Sequence, residues 1–151
     1  MFHRVFNKQD FISCAAYEIF QVVIDVESYP EFIPWCKAIY VEKKCESFMV
    51  VDLLAKFYGL EDQYTSLINF SSPTQEKNGW IKIVSSNGVF KHMYNKWEFI
   101  SLDKNSTVVK FYIEFEFHSR LFYVMFNSVF KYVEKKIITA FKNRARELKL
   151  S

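Results

Sequence analysis

The residue types that do chemistry are sparse and scattered in this chain. Cys14, Cys36 and Cys45 are odd in number and form no C-x-x-C pair, so neither a disulfide framework nor a thiol redox motif is indicated. Cys36, beside Trp35, reads either as a reactive thiol or as a small buried hydrophobe. His3, His92 and His118 stand at no metal-binding spacing to one another or to a cysteine, and no metal site is expected. The densest titratable run is Glu114, Glu116 and His118, which alternate with Ile113, Phe115 and Phe117. Successive strand side chains point to opposite faces, so these groups lie away from the apolar face.

Cations concentrate at one end. Residues 131–151 carry Lys131, Lys135, Lys136, Lys142, Arg144, Arg146 and Lys149 against Glu134 and Glu147, so a net charge of +3 divides into +5 there and −2 elsewhere. Such a face is a solvated helix surface, or a contact for an anionic membrane or nucleic acid. Aromatic residues reach 19%, with 17 Phe, 9 Tyr and 3 Trp, whereas Gly and Pro number 3 each. An apolar share of 50% and a charged share of 25% exclude disorder and low-complexity architectures. The 151 residues suit one domain spanning 1–151. The longest apolar run is the six residues Leu121 to Phe126, far short of the ~18 that suggest a membrane span.

The elements that must position these side chains follow from periodicity. Residues 4–12 read as a strand, Ser13 as an N-cap, and Ala16, Ile19, Phe20, Val23 and Ile24 as a helix ending near Asp25 to Ser28. Pro30 is expected at the first position of a short helical turn. From residue 38 to 118 the period is two, with strands over 48–57, 64–70, 80–84, 94–102 and 109–117, and turn signals at Asn78-Gly79, Asn87-Gly88 and Asp103-Lys104-Asn105-Ser106. Ser119 caps a final helix of about 30 residues, roughly 45 Å long at 1.5 Å per residue. Its seam runs through Phe122, Phe126, Val129, Val133, Ile137, Phe141, Ala145 and Leu148. The layout is α+β, one long helix on a curved antiparallel sheet that can enclose an apolar cavity.

Three blocks in register carry a resemblance: Asp25-Val26-Glu27-Ser28-Tyr29-Pro30-Glu31-Phe32-Ile33-Pro34-Trp35-Cys36, then Gly88-Val89-Phe90-Lys91 with Asn95-Lys96-Trp97-Glu98-Phe99, then Phe115-Glu116-Phe117-His118-Ser119-Arg120-Leu121. The sequence resembles the coenzyme Q-binding START-domain family of the polyketide cyclase and START superfamily, over nearly the whole chain. Val89 stands where that family usually has Pro, and Leu67 follows Ser66 where a basic residue is common. The resemblance implies a helix-grip fold and a lipid chaperone that holds ubiquinone and supports respiration. Bacterial relatives described as toxins that block ribosomal subunit association give the alternative, binding to the large ribosomal subunit.

Ubiquinone joins an apolar tail to a head whose carbonyls only accept hydrogen bonds. Phe32, Trp35, Trp97, Phe99, Phe111, Phe115, Phe126 and Phe130 are the candidate wall, or else ordinary core, and Asn95 and Trp97 the candidate donors if no bulge separates their faces. Tyr29, Pro30 and Pro34 belong to a segment that reads as a gate over the pocket or as a rigid connector. Lys142, Arg144, Arg146 and Lys149 would contact anionic lipid or the ribosome. With Glu114, Glu116 and His118 facing away from the apolar side, the expectation is a binding protein without catalysis and without a cofactor. A strand that begins almost at Met1 points to a bacterial, cytoplasmic protein, peripheral on the inner membrane if it docks there.

Overall fold

The computed structural model of the chain describes residues 3–57 and 59–150, without the side chains of residues 57, 129, 132, 133 and 150. Strand β1 (His3–Ile12) leads to helix α1 (Ala16–Ile24) and a 3-10 helix (Val26–Glu31). Six strands follow, β2 (Cys36–Lys44), β3 (Phe48–Phe57), β4 (Leu60–Ser71), β5 (Gly79–Ser85), β6 (Phe90–Asp103) and β7 (Ser106–Phe117), and then helix α2 (Arg120–Leu150). The seven strands form one antiparallel sheet in the order β1-β7-β6-β5-β4-β3-β2. This is the helix-grip arrangement that the layout and the resemblance imply.

The alternation along β7 is realised: Val109, Phe111, Phe115 and Phe117 are buried, while Glu114 on the opposite face accepts from the Tyr112 hydroxyl at 2.7 Å and pairs with His92 at 3.0 Å. Irregular pairing at Cys36/Ala38, Val41/Lys43, Phe90/His92 and Ser101/Asp103 bends the strands, as bulges do, so the sheet curls toward α2. The β5–β6 turn depends on Gly88. Its φ is +61°, and a Cβ there would stand 1.8 Å from the Gln63 carbonyl oxygen.

Two local expectations are corrected. The residue before α1 is Ala15, not Ser13, and no side chain caps the helix. The buried Thr107 hydroxyl donates to the Cys14 carbonyl at 2.7 Å and fixes where the chain leaves the sheet edge, which leaves Ser13 exposed before the helix. Pro30 does not open the short helix; the turn begins at Val26 and holds Pro30 inside. Asp25 starts it, its carboxylate accepting from the Ser28 hydroxyl at 2.6 Å. At α2 the Ser119 hydroxyl accepts from the Leu121 and Phe122 amides at 3.1 and 3.5 Å, as an N-cap should.

Buried side chains fall into two groups. The larger gathers Ile19, Phe20 and Val23 of α1, Trp97, Phe99, Val109 and Phe111 of the sheet, and Ile137, Ile138 and Phe141 of α2. The smaller joins Val89, Phe90, Met93, Phe115, Phe117 and Phe130. Of the expected seam, Ile137, Phe141 and Ala145 are buried, Leu148 is 48% exposed, and the side chains of Val129 and Val133 lie outside the described residues.

Candidate functional site

A cavity of about 150 Å³ lies between α2 and the concave face of the sheet, bordered by both apolar groups. Period two supplies its walls: Val51, Leu53 and Ala55 from β3, Tyr64, Ser66 and Ile68 from β4, Met93, Asn95 and Trp97 from β6, Phe111 and Ile113 from β7. Phe126, Ile137 and Phe141 of α2 close one side, and Tyr29, Ile33 and Trp35 close another. Asn95 and Trp97 share a face, since no bulge falls between them.

The polar groups inside are few and each has a definable state. The Trp97 indole N–H donates to Asn95 Oδ1 at 3.0 Å, and Asn95 Nδ2 donates to the Tyr112 carbonyl at 2.8 Å. An indole only donates and a carbonyl only accepts, so these partners fix the amide orientation. Trp97 is therefore spent as a donor, and Asn95 keeps one N–H. Among the described residues, the hydroxyls of Tyr64 and Ser66 have no hydrogen-bond partner, although Ser66 is 5% exposed and both residues line the cavity. Burial raises the Tyr64 phenol above its ordinary value, with the neighbouring Cys36 adding to it, so it stays protonated at neutral pH. Burial pushes the Cys36 thiol up to about 12, which keeps it a neutral thiol rather than a nucleophile. The Tyr29 hydroxyl donates its one proton to the Val23 carbonyl and so is spent as a donor. Among the described residues, the interior thus offers neutral donors and no charge. Leaving such a donor unpaired costs roughly 1–3 kcal/mol, which a ligand acceptor recovers.

The structure sorts the expected site residues. Trp35, Asn95, Trp97, Phe111 and Phe126 line the cavity, whereas Phe32, Phe99, Phe115 and Phe130 do not. Phe99 shares the inward face with Trp97 but lies one row on, stacked on it at 6.2 Å and covered edge-on by Phe20 of α1 at 5.6 Å. Phe115 is sealed by Phe126 and Phe130 at 4.9 and 5.6 Å, which makes both Phe115 and Phe130 core. Tyr64, Ser66 and Met93 were missed. The signal was the alternate positions 64, 66 and 68 of β4, hidden because a serine on an inward face looks like a solvent position.

Of the segment read as a gate or a rigid connector, Tyr29 faces the cavity while Pro30 and Pro34 are exposed. Phe32 sits outside it. The rings of Tyr29, Phe32 and Phe141 meet edge to face at 5.3–5.8 Å. Arg144 lies over Phe32 at 5.5 Å and reaches Glu31 at 3.4 Å, so α2 packs directly on this segment. The basic residues do not form one free face. Arg144, with its side chain 19% exposed, turns to Glu31 and Glu147, and Lys149 pairs with Glu18 at 3.5 Å. Lys142 is half-buried and Arg146 exposed. Among the described residues no three His, Cys, Asp or Glu side chains come together as metal ligands would.

Residues 12–142 match the family described as polyketide cyclase / dehydrase and lipid transport. A ribosome association toxin RatA of Rickettsia prowazekii (strain Madrid E) is 30% identical over 131 residues, covering 87% of this chain and 88% of that protein. The mitochondrial coenzyme Q-binding protein COQ10 of Drosophila melanogaster is 25% identical over 150 residues, covering 95% of this chain and 60% of that one. Among solved structures, the Zhui aromatase/cyclase of Streptomyces sp. R1128 superposes with a TM-score of 0.79 at 16% identity, covering 95% of this chain and 94% of that chain, a likeness of fold. These matches correct the expectation of a protein without catalysis. The family description includes cyclases and dehydrases, and the same fold serves an aromatase/cyclase, so an apolar β7 face excludes nothing. The polar groups of the interior come instead from β4 and β6. With most of its length inside that match, the chain belongs to the polyketide cyclase / dehydrase and lipid transport family.

Proposed function

We propose that the protein binds a lipid with a compact ring-shaped head in the internal cavity, with ubiquinone as the ligand and support of respiratory electron transport as the role. The observation that carries this reading is the chemistry of the lining: apolar walls with neutral donors at Tyr64, Ser66 and Asn95 suit a head that accepts hydrogen bonds and carries no charge. The coenzyme Q-binding relative points the same way. A cavity of about 150 Å³ is filled by one benzene-sized ring, so a substituted quinone with its tail requires the walls to part. The segment from Tyr29 to Trp35, packed on α2 through Arg144 and the Phe141 ring, is where they would part.

The test is lipid extraction and mass spectrometry of protein purified without harsh detergent from a ubiquinone-making host. A stoichiometric quinone is expected. A protein that stays empty after incubation with ubiquinone-loaded vesicles refutes the reading. The name of the 30% identical relative, a ribosome association toxin, favours a second reading, contact with the ribosome, for which the large subunit is the surface to test. Salt-sensitive co-sedimentation with that subunit and none with vesicles would select it.

A further inference from the structure

We propose that the first half of α2 is a docking face for an anionic lipid bilayer, a reading that rests on the cavity being a lipid site. Leu121 and Val124 are 56% and 55% exposed, although both are aliphatic. Helical spacing continues their stripe through Ser128, Lys131 and Lys135, all exposed. The stripe therefore runs from an apolar end to a cationic end. From residue 117 to 133 the chain has no acidic residue, and Arg120 adds an exposed cation at the apolar end. Glu134, the first acid beyond, is turned to Arg4 at 3.9 Å, while its carbonyl accepts from Lys8 at 3.3 Å.

The chemistry selects the partner. Aliphatic side chains that enter the acyl boundary beside lysines at headgroup level are the pattern of an interfacial helix on an anionic membrane. RNA is gripped by cations with stacking aromatics or base-edge hydrogen bonds, and Leu121 and Val124 supply neither. Phe126, on the opposite face of the same turns, lines the cavity, so the bilayer would lie one helix thickness from the ligand. The cations of the last turns are less suited, since Arg144 and Lys149 are engaged with Glu31, Glu147 and Glu18.

The experiment is flotation of the full chain with vesicles of phosphatidylcholine, with and without phosphatidylglycerol. The unaltered protein should float with the phosphatidylglycerol vesicles and lose binding in high salt. Leu121→Glu with Val124→Glu should weaken binding by roughly a hundredfold, about tenfold for each half-exposed side chain. Lys131→Glu with Lys135→Glu should weaken it by at least tenfold on anionic vesicles, whereas Lys142→Gln with Arg146→Gln should leave it unchanged. Failure of the unaltered protein to float, or equal flotation of all variants, overturns the proposal. So does a shift from dimer to monomer in the Leu121/Val124 variant without any change on vesicles, which would assign the face to a second copy. Binding to ribosomal subunits that needs the lysines but not the aliphatic pair overturns it as well. Thermal shift by a short-tailed quinone in solution separates the two readings: protein that takes the quinone but does not float loses only the docking face, and protein that floats but takes none loses only the cavity ligand.

Discussion

Replacing Asn95 by Leu tests whether the cavity is organised by the Trp97–Asn95–Tyr112 relay. Asn95 is 7% exposed and Trp97 2%, so water does not freely replace the lost amide. The substitution removes two hydrogen bonds of 3.0 and 2.8 Å and leaves the indole N–H and the Tyr112 carbonyl without those partners. At about 1–3 kcal/mol for a buried unsatisfied group, and with some return from the added apolar surface, Asn95→Leu should cost roughly 2–4 kcal/mol. For a domain of about 150 residues this is a fall in Tm of roughly 5–15 °C. Trp97→Phe removes the stranded donor, so the double variant should be more stable than the sum of the singles predicts, by about 1–2 kcal/mol. Urea unfolding of the four proteins, at unchanged m-value, measures this coupling. Coupling below about 0.5 kcal/mol would refute the relay and mean that the two side chains are held independently.

Tyr64→Phe and Ser66→Ala remove hydroxyls that have no partner among the described residues, so each should leave the empty protein at least as stable, by up to about 1–3 kcal/mol, while quinone affinity falls roughly fivefold to tenfold, read by urea midpoints and titration calorimetry. Gly88→Ala should cost more than about 2 kcal/mol by thermal unfolding, because the left-handed backbone and the Gln63 carbonyl both oppose a Cβ. Cys36 carries a thiol raised from 9.0 to about 12 by burial, so its stabilising contribution is complete below pH 9 and is lost as pH rises toward 12. Cys36→Ala should therefore lose less stability than the parent over that alkaline range, measured by urea midpoints. Arg144→Gln should speed quinone exchange between vesicles and protein severalfold, because it removes the contacts of α2 with Glu31 and the Phe32 ring, measured by transfer between labelled vesicles.

The sheet was legible wherever a strand has a dry core on one face and water on the other. β7 is that case, and its alternation reads directly from Val109 to Phe117. β4 inverts the rule: Ser66 is 5% exposed and Leu67 39%, because the inward face looks onto a cavity and the outward one carries an apolar residue. Periodicity alone cannot separate Trp97 from Phe99 either. Both point inward at period two, and only the seating of α1, with Phe20 against Phe99, decides that one lines the space and the other the core. The cations of α2 were visible as a charge excess, but partners such as Glu18 and Glu31 lie more than 100 residues away in the chain. Contacts across such separations leave no local trace in a sequence.

The pairing of β1 with β7 sets the order in which the protein comes together. His3 stands opposite Glu116 and Ile12 opposite Thr107. At about 5–20 residues per second of synthesis, β1 waits on the order of 5–20 s for its partner strand to be made. During that wait Phe6 and Ile12, which end up inside, have nothing to pack against, and the strand is a ready edge for other chains. Its defence is composition: Arg4, Lys8 and Asp10 interrupt the apolar positions and keep the nascent segment hydrated until β7 arrives.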